Sequence, residues 1–177
     1  PSISFGKNYS LNFGGLRVDL KYPIREGGKG KVIIYFPDQK ALMYTDTATP
    51  NTAPPKTLKA SNIFNRAKGL KEALRYDFEN YISGNYYRPG NKAEAKEILN
   101  YYYATKSANK KALQSTTPKG KTENKSIVEN CLRLLEPYWG ERLKGFKISA
   151  KEHCTSWTKF HLSKIPSQAD RKSETKN

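Results

Sequence analysis

Residues 16–22, LRVDLKY, alternate strictly between apolar and polar side chains. Leu16, Val18, Leu20 and Tyr22 point one way and Arg17, Asp19 and Lys21 the other, the period-2 pattern of a half-buried strand. Pro23 ends the ladder, and the glycines of PIREGGKG (23–30) permit a turn. KVIIYF (31–36) follows, β-branched and aromatic, and Pro37-Asp38-Gln39 leads tightly into KALMYTD (40–46). Three short consecutive strands with short links predict an antiparallel meander with one face covered and the other wet.

Working outward, TATPNTAPPKTLK (47–59) reads as an irregular loop, because its prolines break any ladder. Ser61 is placed to cap a helix over 62–83, with Ile63, Ala67, Leu70, Leu74, Phe78 and Tyr81 at helical spacing and Gly84 at its end. Residues 85–92 read as a hinge, and 93–104 as a second helix. Residues 105–121 read as a flexible, Lys-rich connection, with extension of the second helix into its early part as the alternative. A third helix is expected over 123–135 with a capping box at Ser126 and Glu129, ended by Pro137 and Gly140. A fourth is expected over 149–165, opened by Ser149 and Glu152. The expected fold class is α+β: a three-stranded antiparallel sheet packed on one helix, then a small all-α module. The expected boundaries are 1–90, 91–166 and a polar tail at 167–177.

The 177 residues carry 32 Lys and Arg against 16 Asp and Glu, a formal charge of +16. A basic tail on a neutral domain would concentrate this excess, yet residues 1–90 hold 14 basic and 7 acidic groups and residues 91–177 hold 18 and 9. Aromatic content of 12% argues against a disordered chain. No apolar run approaches the ~20 residues of a membrane span, and PSISFGKNYS has no signal-peptide core, so a cytoplasmic location, with nucleoid association in a bacterium, is expected. Two cysteines, Cys131 and Cys154, are too few for a disulfide scaffold or a four-Cys zinc site.

Catalytic signatures are absent. EGGKGK lacks the spacing of a phosphate-binding loop, and there is no GxSxG elbow. His153 and His161 lie two helical turns apart, ~12 Å, too far to share one ion. No metal, no cofactor and no small-molecule substrate are expected. A basic chain of this kind calls for a polyanion, with double-stranded DNA first. Arg17, Lys21, Arg25, Lys29, Lys31 and Lys40 fall on the expected sheet and its turns, where a wet face can lie in the major groove. Lys119, Lys121 and Lys125 enter a helix N-terminus, and Arg133, Lys144, Lys151 and Lys159 extend the basic surface. Trp139 and Trp157 read as packing rather than base-stacking residues.

The order of these features resembles the N-terminal half of phage-type tyrosine recombinases (integrases). The stretch ENCLRLLEPYWGERLKGFKISAKEHCTSW (129–157) is similar to that family's core-binding region, through Leu135, Tyr138-Trp139-Gly140, Leu143, Ile148 and Ser149. NIFNRAKGLKEALRYDFENYISGNYYRP (62–89) resembles its arm-domain helix. The resemblance implies an arm-binding module, a SAM-like core-binding module and a role in DNA integration and recombination for a phage or mobile element, with other recombinase protomers as partners on DNA. It also implies a non-catalytic chain, because the family's catalytic residues belong to a domain for which there is no room here. From the residues alone, an RNA- or ribosome-associated protein, a nuclease, and a phage regulator binding an acidic protein stand beside it.

Overall fold

The computed structural model describes residues 4–23, 31–45, 49–84, 88–116 and 121–164, the side chains of 121–123 excepted. They form strands β1 (Asn8–Phe13), β2 (Leu16–Lys21), β3 (Ile33–Phe36), β4 (Ala41–Tyr44), β5 (Asn80–Ser83) and β6 (Gly90–Asn91), and helices α1 (Ala60–Ala73), α2 (Lys92–Gln114), α3 (Lys121–Trp139) and α4 (Phe146–Leu162). The strands make one six-stranded sheet in chain order. Every pairing is antiparallel except β4 with β5, which is parallel. The expected three-stranded antiparallel sheet on one helix, followed by an all-α module, is therefore incorrect: the sheet is mixed and twice as wide.

Three local causes account for the difference. First, NYSLNF (8–13) pairs with β2 across Phe13-Gly14-Gly15-Leu16. Both glycines have positive φ, 55° and 83°, the geometry of the two-residue turn that suits twisted hairpins. Second, the helix expected over 62–83 stops at Ala73. The N–H groups of Arg75 and Tyr76 donate to Glu72 and Ala73 carbonyls at 3.2 and 3.1 Å, tightening the last turn. The N–H groups of Glu79 and Asn80 then both donate to the Lys40 carbonyl, at 2.8 and 3.0 Å, laying β5 beside β4. Phe78 and Tyr81 are buried in this extended path, and a short aromatic run satisfies helical or strand periodicity alike. Parallel strands need a long crossover, and α1 supplies it.

Third, α2 runs to Gln114, through the segment expected to be a flexible connection. Its buried face there is Thr105, Ala108, Asn109 and Ala112, a helical stripe of small and polar residues that apolar spacing does not reveal. The start of α2 is fixed where a hinge was expected. Asn91 accepts from the Glu94 N–H at 3.0 Å while the Glu94 carboxylate accepts from the Asn91 N–H at 2.9 Å, a reciprocal capping box. The boxes expected at Ser126/Glu129 and Ser149/Glu152 fall inside helices instead, since α3 begins at Lys121 and α4 follows a left-handed Gly145 (φ 76°). Pro137 sits within α3, in its last turn, and the expected turn at 23–30 lies mostly outside the described residues.

Sheet and helices share one hydrophobic core, in which Ile33, Leu42, Tyr44 and Tyr81 join Leu70, Ile98, Tyr102 and Trp157. Backbone bonds tie the loop after β4 to the turn before α4: Ala53 N–H to Lys144 O at 3.0 Å, and Lys144 N–H to Asn51 O at 2.9 Å. Among the described residues no helix is long and apolar enough to cross a membrane.

Cys131 and Cys154, both fully buried, form a disulfide that joins α3 to α4. Two cysteines do not make a scaffold, but here they make one cross-link between two helices. It spans 23 residues of sequence, for which restriction of the unfolded chain contributes about 3 kcal/mol. Urea unfolding of the Cys131→Ser/Cys154→Ser protein is expected to show that loss; an unchanged midpoint would contradict it. Gly69 packs α1 against β4, since a Cβ there would run into the Tyr44 hydroxyl. Gly69→Ala is expected to destabilise the fold by about 1–3 kcal/mol in the same assay, despite alanine's better helix propensity.

Candidate anion-binding site

The cations expected on the sheet are mostly satisfied internally. Arg17 on β2 chelates Asp19 at 3.1 Å. Lys21 reaches Glu72 on α1 at 3.0 Å and lies 5.9 Å from the Tyr76 ring. Lys40, at a positive φ of 44°, pairs with Glu79 at 3.1 Å and with Asp77 at 3.9 Å. Two carboxylates beside one ammonium hold the Lys40 pKa above its ordinary value, the Glu79 hydrogen bond being the main cause. Lys31 is half-buried beside β3. Arg25 and Lys29 lie outside the described residues. Of the cations expected on the sheet, Arg17, Lys21 and Lys40 thus each face a carboxylate, at 19, 72, and 77 and 79.

The cations expected on the helices fare differently. Lys119 lies outside the described residues, as does the Lys121 side chain. Lys125 faces Glu129 at 3.9 Å one turn on, and Arg133 donates to Asn130. A depression of about 500 Å³ at the start of α4 includes Lys144, Arg142 and Lys147. Two of its three cations are already paired, Arg142 with Glu97 at 3.5 Å and Lys147 with Glu136 at 3.6 Å. Lys151 is exposed on α4.

Two further depressions adjoin the start of α1, where the Ala60 N–H donates to Ser156 Oγ of α4 at 2.8 Å. One, about 490 Å³, is lined by Lys56, Lys59 and Lys159, with Glu152 and Ser156. The other, about 280 Å³, is lined by Phe64, Lys106, Trp157, Phe160 and Lys164. Lys106 Nζ lies 5.2 Å from the Phe64 ring centre and 5.9 Å from that of Trp157. Lys68 covers Phe64 at 4.4 Å and Lys164 covers Phe160 at 4.5 Å. None of Lys56, Lys59, Lys106, Lys159 and Lys164 has an ion-pair partner among the described residues. Of these, only Lys159 stands out from the sequence. The rest are separated along the chain and meet only because α1, α2 and α4 pack together.

The field of these lysines is felt by His161 on α4. Burial lowers its pKa first, and Lys106, Lys164 and Lys110 lower it further. Its Nδ1–H donates to Asn109 Oδ1 at 2.9 Å, while Asn109 Nδ2 donates to the Cys154 carbonyl and to Thr158 Oγ1. His153, fully buried, is fixed in one tautomer. The Pro55 carbonyl can only accept, so Nε2 carries the proton at 3.0 Å, and Nδ1 accepts from the Tyr101 hydroxyl at 3.0 Å. Both imidazoles therefore serve packing, and both sulfurs are in the disulfide. Among the described residues no three or more His, Cys, Asp or Glu side chains gather as metal ligands.

Burial holds the His153 pKa below its ordinary value. The unfolded chain then binds more protons than the folded one in the window below about pH 6.5, so stability is complete above that window and falls as the pH drops through it. Thermal unfolding is expected to shift down between pH 7.5 and 5.5, and His153→Gln to flatten that dependence. An equal slope in the variant would remove His153 as a cause.

No protein-family model and no curated protein matches this chain. Solved structures do. A metallo-beta-lactamase family protein from Thermus thermophilus superposes with a TM-score of 0.50 at 13% identity, over 90% of this chain and 48% of its own. The stereoselective inverting sec-alkylsulfatase from Pseudomonas sp. superposes with a TM-score of 0.51 at 10% identity, over 94% and 27%. A double mutant of a sec-alkyl sulfatase gives 0.55 at 9%, over the same shares. The chain thus spans about half of the first neighbour and about a quarter of the others. At these identities the likeness concerns the fold. The fold is shared with enzymes of these types and not with tyrosine recombinases. The integrase resemblance, its recombination role and the non-catalytic status drawn from it are overturned, and the RNA-associated and phage-regulator alternatives gain no support.

Proposed function

We propose that this chain is the anion-gathering part of a hydrolase-type protein with a metallo-beta-lactamase-like fold. The observation that carries this reading is the set of lysines around the start of α1, Lys56, Lys59, Lys106, Lys159 and Lys164, that have no ion-pair partner among the described residues, whereas Arg17, Lys21 and Lys40 of the sheet face carboxylates. The neighbours' names, a metallo-beta-lactamase and an alkylsulfatase, supply the hydrolase class, and a sulfate ester is itself an anion. The described residues do not fit a metal centre, with both histidines and both cysteines committed to the core, so no step is routed through one. What the lysines do is attract and orient negative charge before chemistry, by raising the local concentration of an anionic substrate.

Duplex DNA, with one negative charge per about 1.7 Å of its axis, is a polyanion with which to test the surface. Neutralising about four phosphates makes affinity fall about a hundredfold between ~50 and ~200 mM salt. Fluorescence anisotropy with a labelled duplex should show this slope. Lys59→Glu/Lys159→Glu is expected to weaken binding about tenfold, whereas Arg17→Gln on the sheet changes it less than about twofold. A flat salt response, or equal losses in both variants, would overturn the proposal.

A further inference from the structure

The smaller depression between α1, α2 and α4 combines two properties that the larger depressions at the starts of α1 and α4 lack. Its lysines, Lys106 and Lys164, lie over ring faces rather than beside carboxylates, and among the described residues no acidic side chain lines it. Phe64 at its mouth is 41% exposed, a large apolar ring left partly in water. The floor is rigid. Trp157 is buried, its indole N–H donates to Thr105 Oγ1 at 3.2 Å, and its ring packs edge-on against Phe160 at 5.5 Å.

We infer that this groove binds a planar aromatic anion of nucleoside monophosphate type, the ring system against Phe64 and Phe160 and the phosphate on Lys106 and Lys164. Resting on the anion-gathering role proposed above, this names its ligand class, contrary to the sequence expectation of no small-molecule ligand. An aromatic ring offers a flat partner for stacking, and ammonium groups already held over ring faces stand close to an incoming phosphate. Volume decides the size of the occupant. About 280 Å³ is at the low end for small-molecule sites, room for one ring system with one attached phosphate rather than for a strand. The neighbouring depression with Lys56, Lys59 and Lys159 carries Glu152 and no aromatic residue, so it attracts charge without selecting a ring.

Calorimetry on the full chain tests this with adenosine 5′-monophosphate, ribose 5-phosphate, adenosine and a short single-stranded oligoadenylate. The monophosphate is expected to bind about tenfold more tightly than ribose 5-phosphate, since stacking one base on an aromatic side chain is worth that much or more. It should also bind more tightly than adenosine and lose affinity with salt. Phe64→Ala should erase the preference over ribose 5-phosphate, and Phe64→Tyr should keep it. Lys106→Gln should weaken both phosphates alike. Circular dichroism melting confirms that each variant is folded, and a collapsed Phe64→Ala is replaced by Phe64→Leu, which keeps the volume and removes the ring.

Equal binding of monophosphate and ribose 5-phosphate, or no effect at Phe64, overturns the inference. So does an oligoadenylate that binds far more tightly per base than the monophosphate, which would make the occupant a strand. If duplex DNA still binds with a steep salt slope while the monophosphate does not bind, the inference fails and the anion-gathering reading stands. If neither binds, both fail.

Discussion

The parallel pairing of β4 with β5 is the constraint on which the other elements depend. Two parallel strands cannot be joined by a turn, so the chain between them must leave the sheet, cross it and return. The segment from Thr45 to Glu79 does this with α1, and Gly69 lets that helix approach the Tyr44 side chain. The return point is fixed at one residue. Lys40 takes a left-handed conformation that a non-glycine residue adopts at some cost. Its carbonyl receives two N–H groups from the incoming strand, and its ammonium group holds Asp77 and Glu79. Once α1 is set, the N-terminus of α1 meets α4 through Ala60 and Ser156, and the Pro55 carbonyl before it meets His153. The lysine-lined grooves therefore exist because of a strand pairing remote from them.

That dependence explains what could and could not be read in the sequence. The strands at 16–21, 33–36 and 41–44 stand out because alternation and β-branched residues are local signals. The Gly14-Gly15 turn and the Asn91/Glu94 box were equally local, and attention to positive-φ pairs and to Asn as a helix cap finds β1 and the start of α2. The end of α1 was not legible. Phe78, Tyr81 and Ile82 continue the spacing of Ile63, Ala67 and Leu70, and only the two bonds to the Lys40 carbonyl decide in favour of a strand. The later half of α2 was hidden for another reason, its buried face being built from Thr105 and Asn109, whose polarity is satisfied by Trp157, Thr158 and the Cys154 carbonyl. The integrase resemblance rested on the aromatic-Gly turn at 138–140 and the helical reading of 62–83, and the second of these was the part the tertiary structure overrode.

The candidate site had a different fate. Basic residues were visible by count, but charge alone does not say which cations are free. Arg17, Asp19 and Lys21 share one face of β2, where Asp19 pairs with Arg17, and Glu72 arrives from α1 to pair with Lys21. Surface ion pairs of this kind contribute little to stability, about 0–1 kcal/mol, yet they lower the field that a distant anion would feel. Lys68, Lys106 and Lys164 meet aromatic rings instead. A ring face attracts a cation through its quadrupole without cancelling its charge, so the same number of positive groups leaves more potential at the surface.

The structure thus separates two uses of an excess of positive charge. On the sheet, Arg17 is matched by Asp19 of its own strand, Lys21 by Glu72 of α1, and Lys40 by Asp77 and Glu79 at the entry to β5. Around the start of α1, Lys106 and Lys164 lie over Phe64, Trp157 and Phe160, Lys56, Lys59 and Lys159 share a depression with Glu152, and the buried Asn109 network and the Cys131–Cys154 bond hold α2, α3 and α4 in place. Burial lowers the His161 pKa, and repulsion from Lys106, Lys164 and Lys110 lowers it further. An anion entering the groove would relieve the same repulsion.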